Sequence, residues 1–365
     1  MKKILNTFHS GRAVFFLLVF ICCIVAGAVL KIATSVILPF TIAFLLAFVM
    51  FPIVRWLDKH RIPRFVSIFL VVIIIVSGLS IFGVVLFTSG INILSIWPKY
   101  ENRLTEIYSW MARFFDLSFD ESLSVWQNLW MQLGIRNWVR SFAFSFSSIF
   151  LSFTSSAVLV VLFVVFILLE ASRFEEKLEA AFEDRAERIN KMGYELMYQV
   201  TRYLTAKFFI SLATGLITAV GLRLIGLEFA IVWGIIAFML NFIPILGSIA
   251  AGFSTSLFAL IQFWPNPVPV ILVVTFILAV NMIIGVFLDP KIVGEHVGIS
   301  PLIVLISLGI WGYIWGFAGA ILAVPMTVII KIICENVPIL EPISILIGTQ
   351  KAVQAKKSES EKAET

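Results

Sequence analysis

Residues 229–263 of the chain read FAIVWGIIAFMLNFIPILGSIAAGFSTSLFALIQF, and they open a run of 60 residues without a formal charge that ends at Leu288. A helix needs about 20 apolar residues to cross the hydrocarbon core of a bilayer. The run is too long for one such helix and long enough for two or three membrane segments. Residues 229–263 either cross the bilayer once or fold back as a hairpin, and the pattern leaves both arrangements open.

The composition of the whole chain is that of an integral membrane protein. Of its 365 residues, 60% are hydrophobic and 13% are charged, whereas about one quarter of the residues of a soluble domain are charged. These figures exclude a disordered tail protein, a disulfide scaffold and a coiled coil. The 27 basic and 22 acidic residues leave a formal charge of +5. In a membrane protein this excess reflects loops held in the cytoplasm rather than a nucleic-acid partner.

The apolar runs predict an all-α polytopic membrane protein of about eight transmembrane helices, some broken or re-entrant, with amphipathic interfacial and cytoplasmic helices. Five segments follow: three spans in 1–91, a Trp-rich extracytoplasmic or interfacial region in 92–148, a fourth span and a long cytoplasmic amphipathic helix in 149–207, a second bundle in 208–349, and a disordered polar tail in 350–365. The Trp-rich region either lies at the membrane interface or packs on itself as a small cap. Basic residues at the amino terminus and in 52–64 predict a cytoplasmic amino terminus.

The first motif that bears on function interrupts the uncharged run. Asn241-Phe-Ile-Pro244-Ile-Leu-Gly247-Ser248 lies where the hydrocarbon core should be. Proline has no backbone donor and glycine permits unusual dihedral angles, so the helix should open and leave carbonyl groups and the Asn241 amide facing a cavity. We therefore expect four residues in the transport path: Asn241, Pro244, Gly247 and Ser248. The alternative is a kinked packing helix with Asn241 bonded to an adjacent span.

A second motif concentrates charge between apolar runs. The sequence Asp289-Pro290-Lys291-Ile-Val-Gly294-Glu295-His296 carries two carboxylates, an ammonium and an imidazole. Such groups must lie at an interface, pair with one another or line water. Five of these residues are expected in the transport path: Asp289, Pro290, Lys291, Gly294 and Glu295. Asp289 and Lys291 are candidate ion or proton ligands, and the alternative is an interfacial cluster that only fixes the depth of two helices.

Small residues form a third motif near the carboxyl terminus. Five of them recur at spacings of 3, 4, 3 and 4, namely Gly309, Gly312, Gly316, Gly319 and Ala323. This spacing predicts one face of one helix that another backbone approaches closely, within the chain or in a homo-oligomer. Two prolines are further candidates for packing or gating, because Pro39 is expected to kink or interrupt the second span and Pro325 the last helix.

The sequence carries no pattern for catalysis. It contains no GxxxxGK[ST] nucleotide loop, no HExxH metal motif and no GxSxG nucleophile motif. Its three histidines, His9, His60 and His296, are too scattered to suggest a metal site. We therefore expect no enzyme activity, no cofactor and no metal.

Together, the three motifs resemble those of the autoinducer-2 exporter family of transporters. The resemblance rests on Asn241-Phe-Ile-Pro-Ile-Leu-Gly-Ser248, on Asp289-Pro-Lys-Ile-Val-Gly294 running into Gly298-Ile-Ser-Pro301, and on Gly316-Phe-Ala-Gly319-Ala-Ile-Leu-Ala-Val-Pro325. It extends to the layout of nearly the whole chain. It implies a polytopic permease of the bacterial inner membrane, in a family whose members have been linked to export of autoinducer-2 and, in other cases, to sodium/proton antiport.

These observations predict a secondary transporter that is surrounded by membrane lipids and moves a small polar solute across the membrane. Such a solute needs donors and acceptors without a fixed charge, which Asn241 and the freed carbonyl groups would supply. The first alternative is a sodium/proton antiporter in which Asp289 binds a monovalent cation. The second is a membrane scaffold or receptor that transports nothing.

Overall fold

The computed structural model describes residues 17–18, 21–22, 24–114, 156–171, 186–243, 246–293, 299–337 and 340–348. Within these ranges all regular structure is helical apart from one isolated β-bridge, which confirms the predicted all-α class. Several predicted features lie outside the described residues: Pro244, Gly294, Glu295, residues 115–148 of the Trp-rich region, residues 172–185 of the amphipathic helix, and the tail 350–365.

Three apolar helices form the amino-terminal part of the bundle: α1 (Thr34–Lys59), α2 (Arg64–Phe114) and α3 (Ser156–Glu170). Arg64 donates to the carbonyl of Leu168 at 3.1 Å, so the start of α2 meets the carboxyl end of α3. Pro39 is buried inside α1. The sequence predicts a kink or an interruption at this proline, and the helix continues through it without an interruption. A proline removes only one backbone donor, and packing against neighbouring helices can tolerate that loss.

Two helices run past the boundaries predicted from charge. α2 has 51 residues and passes residues 91–92 without a break. α4 (Ala186–Ile225) has 40 residues and joins the predicted cytoplasmic helix to the next span through Lys207. Lys207 lies inside this helix, and its side chain is buried against other parts of the bundle rather than marking the edge of the membrane.

Residues 230–263 fold back as a hairpin of two helices, α5 (Ala230–Leu240) and α6 (Leu246–Phe263). The two ends of the hairpin meet, since the amide of Glu228 donates to Gln262 at 2.7 Å and the Gln262 side chain donates to the carbonyl of Gly226 at 2.9 Å. α5 extends about 16 Å from this base, about half the thickness of the hydrocarbon core of a bilayer. Of the two arrangements that the sequence leaves open, the hairpin is therefore the correct one, and we call this unit the Asn241 hairpin.

After the Asn241 hairpin the chain crosses the bundle again. Asn266 caps α7 (Pro267–Val280) by accepting the amide of Val268 at 3.1 Å. The crossing continues as a π-helix over Asn281–Leu288 and ends in the short helix α8 (Asp289–Val293). Helical rise over this length is about 33 Å, so Asp289 lies at the end of the bundle opposite the hairpin base.

A second hairpin lies within the apolar segment α9 (Pro301–Asn336). The chain leaves helical geometry at Trp315 and at Gly316, where φ is +63°. Ser307 donates to the carbonyl of Ala323 at 3.0 Å although the two residues are 16 apart in sequence. In one straight helix they would be about 24 Å apart. The two halves of α9 are therefore antiparallel, and we call them the Gly316 hairpin.

The small-residue motif consequently differs from the prediction of a single helix face. Gly309 and Gly312 precede the turn, Gly316 forms it, and Gly319 follows it. Only glycine readily adopts the backbone angles found at the turn. Pro325 is buried in the second half, which remains helical around it, so the break that the sequence predicts at this proline occurs instead at Gly316.

The described helices account for a multi-pass membrane protein. Six helices in the described ranges are long and apolar enough to cross a membrane, and two shorter apolar helices, α3 and α5, accompany them. The last described helix is α10 (Glu341–Ile347), which lies at the foot of the Gly316 hairpin. There the amide of Ser300 donates to the carbonyl of Ile347 at 2.9 Å, which ties the start of the hairpin to the last helix.

Of the four glycines in the Gly316 hairpin, Gly319 is the one at which the two halves approach most closely. A Cβ at this position would lie 1.9 Å from the carbonyl oxygen of Trp311 in the facing half. We expect Gly319→Ala to lower the free energy of unfolding by about 2 kcal/mol, because the backbone has to move. Thermal unfolding of the detergent-solubilised full chain measures this. Gly309→Ala is the control, since nothing lies within 4 Å of a Cβ there; equal losses in the two variants would contradict the close approach.

Candidate functional site

A polar cavity lies between α4, the Asn241 hairpin and the helix formed by α7 and the π-helix. Its volume is about 20 Å³, which is room for about one water molecule, so a solute can enter only if the surrounding helices move apart. The polar lining consists of four hydroxyl groups and two amides, and small or apolar residues complete the wall: Thr214, Thr218, Ser248, Thr255, Asn241, Asn281, Ala237, Ala251, Gly252, Ile277 and Val280. None of these described lining residues carries a formal charge.

Glycines bring α4 and α5 close enough together to build the cavity. A Cβ on Gly215 would lie 2.8 Å from the carbonyl oxygen of Gly234, and a Cβ on Gly234 would lie 2.6 Å from that of Gly215. Small residues that allow backbones to approach are typical of packing between membrane helices. With α5 held this close, Asn241 Nδ2 donates to Ser211 Oγ on α4 at 3.0 Å. The amide at the tip of the hairpin thereby has a partner inside the bilayer.

The turn of the Asn241 hairpin is tight. A Cβ on Gly247 would lie 1.8 Å from the carbonyl oxygen of Leu240, so a larger residue would force the turn open. Ser248 follows directly and lines the cavity. The first sequence motif therefore contributes Asn241 and Ser248 to the cavity wall and Gly247 to the turn.

One face of α4 is both polar and buried. Four residues at spacings of 4, 3 and 4 form it, with exposures of 4%, 0%, 4% and 6%: Lys207, Ser211, Thr214 and Thr218. Residues at these spacings share one side of a helix. We call this face the α4 polar stripe. It runs from the cavity, through the residue that holds Asn241, to a buried ammonium group.

Lys207 and Asp289 form an ion pair at the far end of the α4 polar stripe. Lys207 Nζ lies 2.9 Å from Asp289 Oδ2, and the side chains are 4% and 26% exposed. Two charges in such a place need each other, because either one alone would lose most of its hydration without compensation. Asp289 Oδ1 is buried and has no hydrogen-bond partner within the described part of the chain. The carboxylate thus has one oxygen with capacity for a further ligand.

The residues of the charged motif do not join the cavity wall described above. Asp289 is not among the described lining residues. Lys291 is exposed on α8, and Pro290 belongs to the same short helix. The predicted path is therefore divided between two places, with Asn241 and Ser248 at the cavity and Asp289 in an ion pair. Lys207 and Ser211, one helical turn apart on α4, connect the two places.

The sequence-based predictions did not include the residues that bind the two motifs, such as Ser211, which bonds to Asn241, and Lys207, which pairs with Asp289. Lys207, Ser211, Thr214 and Thr218 would have been found from their spacing, because polar residues repeated every third or fourth position in an apolar helix indicate a buried polar face. Asn281 carries a weaker signal, since one polar residue in an apolar run fits a packing role equally well.

The described residues offer no cluster of metal ligands. No three His, Cys, Asp or Glu side chains gather closely enough in these ranges to hold a metal ion. The polar groups of the cavity are instead hydroxyls and amides. Such groups donate and accept hydrogen bonds without a fixed charge, which suits a neutral polar molecule.

A polar network holds the base of the Asn241 hairpin to the part of α2 beyond its membrane span. Lys99 Nζ lies 2.5 Å from Glu228 Oε1, and the hydroxyl of Tyr100 donates to the other oxygen of that carboxylate. Arg103 donates to the carbonyl of Trp264 just after the hairpin. α2 is therefore attached to both ends of the hairpin.

The network favours a charged Glu228 and a neutral Tyr100. Burial would raise the pKa of Glu228, but hydrogen bonds from Lys99 and Tyr100, with the Lys99 charge, outweigh burial and lower that pKa below its usual value. Burial, together with the hydrogen bond to Glu228 and its negative charge, raises the pKa of Tyr100. Both groups thus keep the protonation states that the network needs near neutral pH.

Comparison with known proteins identifies the family. The sequence profile of the family described as AI-2E family transporter matches residues 14–339. The chain belongs to the AI-2E transporter family. The resemblance carried by the three motifs is therefore confirmed, and the chain is a permease-like transport protein of that family.

Relatives in the AI-2E family are named for transport, but not for one cargo. A Borreliella burgdorferi protein named "Putative transport protein" is 31% identical over 354 residues, or 95% of each chain. The AI-2 transport protein TqsA of Escherichia coli K12 is 28% identical, over 87% of this chain and 91% of the relative. A sodium-lithium/proton antiporter of Halobacillus andaensis is 27% identical, over 88% of this chain and 94% of the relative.

Glu228→Gln tests the network at the hairpin base. We expect this variant to unfold more easily than the wild type at about pH 7, by about 1 kcal/mol, because Lys99 loses its charged partner. The folded-state pKa of Glu228 is lowered, so the stabilisation is complete above the unfolded pKa and is lost as the pH falls through the folded pKa. The difference between the two proteins should therefore disappear once the pH has fallen below the lowered pKa of Glu228.

Thermal unfolding of the solubilised proteins at a series of pH values measures the effect. Glu106→Gln is the matched control, because Glu106 pairs with Arg103 at 3.4 Å but its side chain is 54% exposed. A difference between wild type and Glu228→Gln that did not change as the pH fell through the acidic range would mean that the ionised carboxylate contributes nothing.

Proposed function

We propose that the protein is a secondary transporter that moves a small, uncharged polar solute through the polar cavity at the tip of the Asn241 hairpin. The observation that carries the proposal is the cavity wall itself, which combines six hydroxyl and amide side chains with no formal charge among its described residues. An interrupted helix at membrane depth, with its polar groups facing a cavity, is a recurring construction of transporter binding sites. The name of one relative, AI-2 transport protein, makes autoinducer-2 the first solute to test.

The chemistry of the cavity favours a neutral cargo. A charged solute would have to leave water for a site that offers no opposite charge among the described lining residues, at a cost of several kcal/mol. A neutral solute rich in hydroxyl or carbonyl groups would exchange its hydrogen bonds to water for bonds to Asn241, Ser248 and the threonines. That exchange is nearly balanced, which suits a molecule that has to be bound and then released.

In this proposal the protein lies in the bacterial inner membrane with its amino terminus in the cytoplasm. Basic residues in and beside the loop between α1 and α2, such as Arg61 in the loop and Arg64 at the start of α2, support that orientation. Large apolar side chains on the outside of the bundle, such as Leu224 and Phe253, are exposed and would contact lipid or a second copy of the chain.

A second candidate function is sodium/proton antiport at Asp289. It is favoured by the unpartnered Oδ1 of that carboxylate, which has room for a further ligand beside the ion pair with Lys207. The relative from Halobacillus andaensis is named for such an activity. Solute export remains the first candidate, because the cavity wall carries no acid among its described residues.

Flux of autoinducer-2 into or out of proteoliposomes tests the solute proposal. We expect wild-type vesicles to exceed empty vesicles, and Asn241→Ala to reduce the initial rate about fivefold, which corresponds to the loss of one hydrogen bond of about 1 kcal/mol. Ser248→Ala should have a smaller effect in the same direction. Ser254→Ala is the matched control on the same helix, since that serine bonds to its own backbone at Ala250.

The same vesicles separate the rival functions. Sodium-driven proton movement that Asp289→Asn abolishes and Asn241→Ala leaves intact would favour the antiporter and count against solute export. Vesicles that move neither autoinducer-2 nor sodium and protons above the empty controls would favour a scaffold or receptor.

A further inference from the structure

Lys207 is a buried cation that pairs with Asp289, its one partner within the described part of the chain. Its side chain is 4% exposed, and its ammonium lies 2.9 Å from Asp289 Oδ2. An ammonium group has three donors, and burying it is expensive unless they are used. Replacing a buried ion pair with apolar residues often leaves stability unchanged or improved, so stability alone does not explain why such a pair is present.

A second set of partners for Lys207 lies one turn along the same helix. Ser211 is the i+4 residue on the α4 polar stripe and is 0% exposed. Its Oγ accepts a hydrogen bond from Asn241 at 3.0 Å, and a hydroxyl oxygen has a second lone pair. Elsewhere in the chain a lysine does reach an i+4 acceptor, because Lys331 Nζ lies 2.8 Å from Glu335 Oε1.

We infer that Lys207 is the coupling residue of the transporter, a tethered cation that competes with a free monovalent cation for Asp289. When a free cation takes the carboxylate, the ammonium of Lys207 turns to Ser211 Oγ and Asn241 Oδ1 at the wall of the polar cavity. The inference rests on the proposed function and adds to it the element that links ion binding to solute binding.

Competition of this kind makes cation and solute mutually exclusive. A solute that hydrogen-bonds Asn241 occupies the alternative partner of Lys207, so the ammonium stays on Asp289 and excludes the free cation. A cation on Asp289 sends the ammonium to Asn241 and weakens solute binding. The coupling is equal in both directions by thermodynamic necessity, and mutual exclusion at linked sites is what an exchanger of solute for cation requires.

Binding of sodium to the full chain in detergent tests the competition without any transport. The readout is the rise in the thermal unfolding midpoint with NaCl, relative to choline chloride at equal concentration, because a ligand that binds the folded state stabilises it. We expect Lys207→Gln to lower the NaCl concentration that gives a half-maximal shift about tenfold, since the carboxylate has lost its internal competitor. Asp289→Asn should remove the sodium-specific shift.

Two further variants complete the comparison. Lys331→Gln is the matched control, because it removes a lysine that is equally buried and also paired with a carboxylate; it should leave the half-maximal concentration unchanged. Lys207→Arg should raise that concentration, since a guanidinium holds a carboxylate with two parallel bonds. This variant retains the charge and serves if Lys207→Gln does not fold.

Autoinducer-2 provides the test of coupling. It should raise the half-maximal NaCl concentration of the wild type and leave that of Lys207→Gln unchanged. The inference is wrong if Lys207→Gln and Lys207→Arg both bind sodium like the wild type, or if the sodium-specific shift survives in Asp289→Asn. Absence of autoinducer-2 flux from wild-type vesicles, with the expected sodium series intact, would instead count against the proposed solute alone.

Discussion

Hydrocarbon offers no hydrogen-bond partners, so every group that an interrupted membrane helix frees must find its partner within the protein. The arrangement of this bundle follows from that constraint. The tip of the Asn241 hairpin bonds to Ser211 on α4, which is possible only because Gly215 and Gly234 let the two helices touch. The Gly316 hairpin satisfies Ser307 across its own two halves. The Asn241 hairpin is therefore held by a polar side chain at its turn, and the Gly316 hairpin by a hydrogen bond between its two halves.

The same constraint governs charge. Lys207 and Asp289 are tolerable in the bundle as a pair and costly as single charges. Their position at the end of a polar stripe gives the ammonium a second place to go within the protein, whereas a pair surrounded by apolar side chains would be locked. The polar stripe is thus a short route along which a charge can be relocated without returning to water.

Much of the fold was predictable from the sequence, because hydropathy and helix breakers act locally. The uncharged run from residue 229, with Asn241 and Gly247 inside it, predicts an opened helix, and the structure has one. The choice between crossing and folding back was not predictable, because Gln262, which closes the base of the hairpin, is 34 residues from its partner Glu228. The helix boundary predicted at Lys207 was wrong for a related reason. A lysine in an apolar helix indicates a boundary unless its partner is known, and Asp289 is 82 residues away.

The position of the break in the last apolar segment was predicted wrongly. Pro325 has the stronger helix-breaking chemistry, yet the turn lies at Gly316, since only a residue without a side chain adopts its backbone angles there. Part of the candidate site was predictable from the sequence. Asn241 and Ser248 line the cavity as predicted. The spacing of the α4 threonines indicates a buried polar face, but only the packing of the helices shows that this face meets Asn241 and Ser248.

α2 holds the Asn241 hairpin, which forms part of the cavity wall, at both ends of the hairpin. This single helix of 51 residues is attached near its start to the end of α3 and, far beyond its span, to both ends of the Asn241 hairpin. The helix is about 76 Å long. Pro98 lies directly before the residues that hold the hairpin, and a proline at that place removes one backbone hydrogen bond and favours a bend. A change in the angle of α2 at Pro98 would therefore move the base of the Asn241 hairpin directly.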